Sequence, residues 1–261
     1  MSSEVKPPIL FIHGAFTRAR RWRPWLSYFT AAGYECAAPS LPGHDPSDRR
    51  QLVRLTLADY VDAMLEVVAK FDRPPMVIGH SMGGLIAQHV AANSKCAGLV
   101  LIASTPPWRT GAPLGAVPYT LRYVLPVAIG QPIRASRAVA LKLVLHDLLP
   151  AEQEELMPNM AYESGKAYRT LVLGNAPVDA SAVRCPVLVV SGGADRLLKP
   201  SVGEGLARFY RAEHFVVPGR GHSLIADSIL ELVAAPVLGW IEHPGAGQFA
   251  PAPSLLAEAV V

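Results

Sequence analysis

Continuous apolar runs of strand length recur along the chain: PILFIHG (8–14), YECAAPS (34–40), PMVIGH (75–80), AGLVLIAS (97–104), PVLVVSG (186–192) and HFVVPG (214–219). Between them the apolar positions fall into a helical period. RWRPWLSYFTAAG predicts a helix stopped by Gly33, and TLADYVDAMLEVVAKF predicts one over 56–71. In the second, Leu57, Tyr60, Val61, Met64, Leu65, Val67 and Val68 form one stripe. Thr56, with Asp59 three residues on, reads as its N-terminal capping pair. Further helices are expected from about Met82 to Asn93 and from about Leu224 to Ile241.

Strands that are apolar throughout and alternate with helices imply an α/β fold. The expected core is a mostly parallel sheet of about six strands with helices on both faces. Residues 105–182 break the rhythm. TPPW, APLGAVPYTL and LLPAEQEELMPNM read as short helices interrupted by proline, with no clear strand. The expected organisation is a core of residues 1–104 and 183–243, with 105–182 inserted after the fourth strand as a helical cap over the carboxyl ends of the strands. The tail, 244–261, is rich in Gly, Pro and Ala and is expected to be loosely held or to serve as a homodimer contact.

Composition narrows the class. At 261 residues and 51% hydrophobic, the chain can bury a sizeable core. A net charge of +3 without a long basic run argues against a nucleic-acid partner. Arg18, Arg20, Arg21 and Arg23 read as a solvated helix start. Cys36, Cys96 and Cys185 make no metal or redox pattern and read as buried, reduced thiols. The opening MSSEVKPP does not read as a secretion signal, and no stretch reads as a membrane span, so a cytoplasmic protein without a membrane partner is expected.

Candidate chemistry sits where the strands end, because ligands of open parallel sheets bind at those carboxyl ends. The third run leads into Gly79-His80-Ser81-Met82-Gly83 and then directly into a helix. This is G-x-S-x-G in a strand–turn–helix setting, which exposes the serine hydroxyl at the start of a helix. A serine needs a base, and the base needs an orienting acid. Asp195 follows the fifth run and His222 the sixth, so Ser81, Asp195 and His222 are expected at one sheet edge as nucleophile, acid and base. Acyl transfer also needs oxyanion donors. The backbone N–H of Met82, just after the nucleophile, and of Ala15, in the HGAF loop after the first run, are the expected pair, with His13 as a scaffold for that loop.

FIHGAF with Trp22 and Trp25, GYECAAPSLPGH, VIGHSMGG, LVLIAS, PVLVVSGGADRL and VPGRGHSLI together resemble the α/β-hydrolase fold superfamily, over residues 8 to 241. The resemblance implies a serine hydrolase carrying Ser81, Asp195 and His222. The short run before the first strand leaves no room for the antiparallel hairpin common in that family. The outline is therefore closest to the small esterase and hydroxynitrile lyase branch. LPGHDPSD also departs from the family pattern, with Asp45 where many relatives have glycine. His44 and Asp45 are expected near the rim of the site, hydrogen bonding within their own loop.

The expected activity is hydrolysis of a carboxylic ester, thioester or lactone of a small-to-medium apolar substrate, without metal or cofactor. Phe16, His80, Trp108, Tyr119 and Tyr123 are candidate substrate contacts, and Leu114, Val117, Leu125, Met157, Met160 and Tyr162 supply further apolar cap surface. Lyase or cofactor-independent oxygenase chemistry on the same triad, or a slow ligand receptor, are the alternatives that an intact triad leaves open.

Overall fold

The computed structural model describes residues 5–110 and 117–244. Six strands form the central sheet: β1 (Ile9–Ile12), β2 (Cys36–Ala37), β3 (Met76–His80), β4 (Gly98–Ile102), and, late in the chain, Val187–Gly192 and Glu213–Val217. A second, two-stranded sheet lies between them in sequence, made of β5 (Ile133–Arg134) and β6 (Tyr162–Glu163), so the late strands are β7 and β8. The order across the main sheet is β2-β1-β3-β4-β7-β8, and every neighbouring pair is parallel. The chain runs outward from β1 to β2, then returns past β1 to β3. The order therefore reverses at β1 and β3, and a crevice opens at their carboxyl ends.

Side chains alternate along β1 as the pleat requires. Ile9 and Phe11 enter one core with Trp22, Trp25 and Phe29, while Leu10 and Ile12 enter the other with Tyr60, Met64 and Leu85. Each strand buried on both faces needs apolar residues at every position, which is why the runs are continuous. Helices α1 (Arg23–Ala31), α2 (Leu57–Val68) and α3 (Met82–Asn93) connect the first four strands. The Thr56–Asp59 capping box is present at the start of α2. Gly33, at φ +85°, turns the chain out of α1.

Between β4 and β7 the chain forms α4 (Val117–Thr120), α5 (Val124–Ala128), α6 (Arg137–Val139), α7 (Pro150–Leu156) and α8 (Gly165–Leu173). The sequence reading expected no strand here. The β5–β6 pairing corrects it, and two residues per strand are too few to leave a period-2 pattern. This segment has a small core of its own, Tyr123, Val127, Ile133, Val139 and Leu143, closed by Phe16 from the loop after β1. The fold ends with α9 (Pro200–Tyr210) and α10 (Leu230–Glu242). α10 begins later than the expected Leu224, because buried Leu224, Ile225 and Ala226 continue the loop after β8. Cys36, Cys96 and Cys185 are free and half-buried, less enclosed than expected. The 244–261 tail expectation falls, beyond its first residue, outside the described residues, as does Leu114.

Candidate active site

Ser81 occupies the turn between β3 and α3 at φ 56°, ψ −121°, a backbone region that side-chain-bearing residues rarely adopt. Its surroundings hold it there. The Ser81 N–H donates to the Ile102 carbonyl at 3.1 Å, and the Ser81 carbonyl accepts from Gly84 and Thr105 N–H, each at 3.0 Å. The flanking glycines are steric necessities. A Cβ on Gly79 would meet the Gly83 carbonyl group and the Gly84 Cα, and one on Gly83 would press into the Ile12 and His13 carbonyl oxygens. The turn therefore packs backbone on backbone, and the Ser81 hydroxyl is what it offers to the crevice.

His222 lies in the loop after β8, and Asp195 in the loop after β7. His222 Nδ1 faces Asp195 Oδ2 at 2.8 Å, and His222 Nε2 faces Ser81 Oγ at 3.0 Å. A carboxylate only accepts, so the ring proton sits on Nδ1, and Nε2 is left as the acceptor for the serine proton. The other Asp195 oxygen, Oδ1, accepts from the Leu197 and Leu198 amides at 2.7 and 2.9 Å. Burial works to raise the Asp195 pKa, but the adjacent His222 and these hydrogen bonds outweigh it and hold the carboxyl below its ordinary value. Both Asp195 oxygens are thus engaged in hydrogen bonds.

His80 holds the backbone of His222. Its Nε2 donates to the His222 carbonyl at 2.9 Å, which fixes the backbone carrying the imidazole. Burial, then the neighbouring His222, push the His80 pKa down to about 3, so the ring is neutral. Its buried Nδ1 has no hydrogen-bond partner among the described residues. Ala15 and Phe16 stand in the loop across the crevice from Ser81, and Met82 opens α3 with its side chain fully buried. Phe16 also has positive φ, +62°.

These groups border a cavity of about 590 Å³, within the range of small-molecule sites. Ala15, Phe16, His80, Ser81, Tyr123 and His222 all line it. Its apolar wall comes from the segment between β4 and β7, with Val127, Val139, Leu143, Met160, Tyr168 and Leu171. Two expected contacts lie elsewhere. Trp108 packs against Phe209, ring centroids 5.3 Å apart, and Tyr119 packs on the Tyr123 cluster. Neither borders the cavity.

The arginines are corrected as well. Arg20 and Arg23 are exposed, but Arg18, Arg20, Arg21 and Arg23 together line one side of the cavity, with Glu155 and Asp227 on the same side. Four arginines read as a solvated helix start whether or not a cavity lies beside them. The available signal was their place directly after HGAFT, the loop that borders the same cavity as Ser81. Asp45 accepts from Ser40 Oγ at 3.1 Å inside its own loop, as expected. His44 is not at the rim. It is buried and bonded to Glu163, a residue that the sequence reading did not single out.

The family model described as the alpha/beta hydrolase family matches residues 9–235. The chain is 26% identical over 247 residues to a pyrethroid hydrolase of Sphingobium wenxiniae, covering 84% of this chain and 86% of that one. It is 26% identical over 243 residues to a monoacylglycerol lipase of Mycolicibacterium smegmatis, covering 89% and 87%. Among solved structures, a methylesterase from Arabidopsis superposes with a TM-score of 0.73 at 16% identity, over 90% of this chain and 99% of that one. A six-stranded parallel sheet with a serine on the β3–α3 turn, matched by the family model across most of its length, places the chain in the alpha/beta hydrolase family.

Proposed function

We propose that the protein is a serine hydrolase of carboxylic esters, with Ser81 as nucleophile, His222 as base and Asp195 as orienting acid. The observation that carries this reading is the hydrogen-bonded relay from Asp195 through His222 to Ser81 Oγ, opening onto a mostly apolar cavity. The named relatives include a pyrethroid hydrolase, a lipase and a methylesterase, which supports ester cleavage over other hydrolyses.

In this mechanism Ser81 Oγ attacks the ester carbonyl while His222 Nε2 takes its proton. The developing oxyanion is met by the Ala15 and Met82 amides, the latter at the positive end of α3. His222 then protonates the leaving alcohol, and the acyl-enzyme is opened by a water that His222 deprotonates. Asp195 keeps the imidazolium oriented throughout. Residues 105–182 serve as the cap that shapes the acyl or alcohol pocket, and their apolar wall favours small-to-medium apolar esters.

The test is a p-nitrophenyl ester series of increasing acyl length, run on wild type and Ser81→Ala. Steady turnover that disappears in the variant supports the reading, and the optimum chain length sizes the pocket. Equal rates in the two proteins would sink it. One burst without turnover would point instead to a slow ligand receptor.

A further inference from the structure

The geometry points to Glu163, a buried carboxylate on β6, as a positioning residue for the loop that supplies the Ala15 oxyanion donor. The inference rests on the ester-hydrolase reading above. Glu163 has no solvent exposure, so its carboxyl group requires partners. Among the described residues it has three. The Tyr60 hydroxyl donates to Oε1 at 2.8 Å, the Ser164 N–H donates to Oε1 at 2.7 Å, and His44 Nε2 faces Oε2 at 2.9 Å.

His44 is the next link. Its Nδ1 faces the Pro42 carbonyl oxygen at 3.2 Å, while its Nε2 faces the carboxylate. A carbonyl and a carboxylate both only accept, so with Glu163 ionised both ring nitrogens carry protons and His44 is an imidazolium. Burial is the largest single influence and opposes that charge, but Glu163 and the Pro42 and Leu41 carbonyls together outweigh it, and the pKa of His44 is raised. The His44 ring meets the ring of His13 edge-on, with centroids 4.9 Å apart.

His13 carries the effect into the loop. Its Nε2 accepts from the Leu41 N–H at 2.9 Å, which leaves the proton on Nδ1. That Nδ1 lies 2.9 Å from the Gly14 carbonyl oxygen, and Thr17 Oγ1 donates to the same oxygen at 3.0 Å. Burial and then the charge on His44 push the His13 pKa down to about 3, which keeps the ring neutral in this one tautomer. The Gly14 carbonyl and the Ala15 N–H are opposite ends of one planar trans peptide. Holding the carbonyl back therefore aims the amide forward.

The residues before Glu163 also reach that loop: the Ala161 N–H donates to the carbonyl of Phe16, a residue at positive φ, at 2.7 Å. Glu163 does not border the cavity, so its influence on catalysis runs through His44, His13 and the Gly14–Ala15 peptide.

The test uses the full chain with Glu163→Gln, which preserves shape and removes the charge. Its kcat and KM are measured with the best p-nitrophenyl ester, per active site titrated by a fluorophosphonate. Affinities are measured for a trifluoromethyl ketone, which forms a tetrahedral oxyanion, and for a planar, uncleaved amide of the same acyl group. The expected result is a fall of about ten-fold in kcat and an equal weakening of the ketone, because both depend on the oxyanion donor. KM and the planar amide should stay within about two-fold. His44→Gln reads the same link from its other end and serves if Glu163→Gln does not fold. Unchanged kcat and ketone affinity in either folded variant overturn the inference alone, as does an equal loss of both ligands. If neither variant folds, Glu163 is a stability element and the inference falls. Absence of Ser81-dependent turnover in wild type overturns the ester reading and this inference with it.

Discussion

Gly14→Ala probes the distance between Ser81 and the loop proposed to supply an oxyanion donor. A Cβ at position 14 would stand 2.9 Å from the Ser81 Cβ, 3.0 Å from the His80 carbonyl oxygen and 3.3 Å from His80 Nδ1. Ordinary contact begins at 3.4 Å, so the shortfall against Ser81 is about 0.5 Å and must be met by parting the loop from the turn. Neither side yields easily, since Ser81 is hydrogen-bonded to β4 and Gly14 to His13 and Thr17. A misplacement of about 1 Å in a catalytic constellation can cost about 10²-fold. Half of it should lower kcat by about ten-fold, equivalent to about 1.4 kcal/mol in the barrier. KM should barely move if, as proposed, the apolar wall between β4 and β7 supplies most of the substrate contact. Overpacking should also cost about 1–3 kcal/mol of stability. At this chain length that lowers Tm by about 2–4 °C per kcal/mol. The assay is steady-state hydrolysis of a short p-nitrophenyl ester per titrated site, with a calorimetric melt beside it. A kcat within two-fold of wild type in a protein that melts normally would refute the close approach. A lowered Tm with full kcat would keep the packing argument and remove the loop from catalysis.

Two other outcomes are expected. Asp195→Asn would present an amide N–H₂ to His222 Nδ1 or force the ring into its other tautomer, so kcat should fall by roughly 10⁴ with KM retained; a loss below about 10² would mean that Asp195 does not orient the base. Because Glu163 raises the His44 pKa, their pairing stabilises fully below the unfolded histidine value of about 6.5 and fades as pH rises through the folded value. The Tm advantage of wild type over Glu163→Gln should therefore be widest near pH 6 and narrow toward alkaline pH, and a gap independent of pH would contradict the ion pair.

What the sequence made legible was local chemistry. Helix α3 spans Met82–Asn93, the expected range, because a strand, a tight turn and a helix start are written in adjacent residues. The Thr56–Asp59 box lies three residues apart and could be read directly. Ser81, Asp195 and His222 were each expected after a strand, and parallel strands deliver their ends to one edge, where the structure brings the three within hydrogen-bond reach. Contacts that depend on tertiary placement left no such trace. Glu163 meets its partners His44 and Tyr60 across separations of 119 and 103 residues. Trp108 was expected at the substrate, but an apolar ring satisfies Phe209 as well as a pocket, and pattern alone does not choose. The arginines after HGAFT look the same in sequence whether they face bulk water or a cavity.

The joint between β4 and β7 has an evolutionary consequence. These strands are direct parallel neighbours, with Leu99 paired to Val187 and Ile102 to Val190, so everything between them leaves from the carboxyl end of one strand and returns to the amino end of the next. Such an excursion can be exchanged for another without re-registering a single strand, and substrate range could change by replacement of one contiguous block. Glu163 limits that freedom. A transplanted block would have to bring its own carboxylate to the place where Tyr60 and the His44 imidazolium wait for one. Exchanges that keep an acid there would leave the rest of the molecule undisturbed.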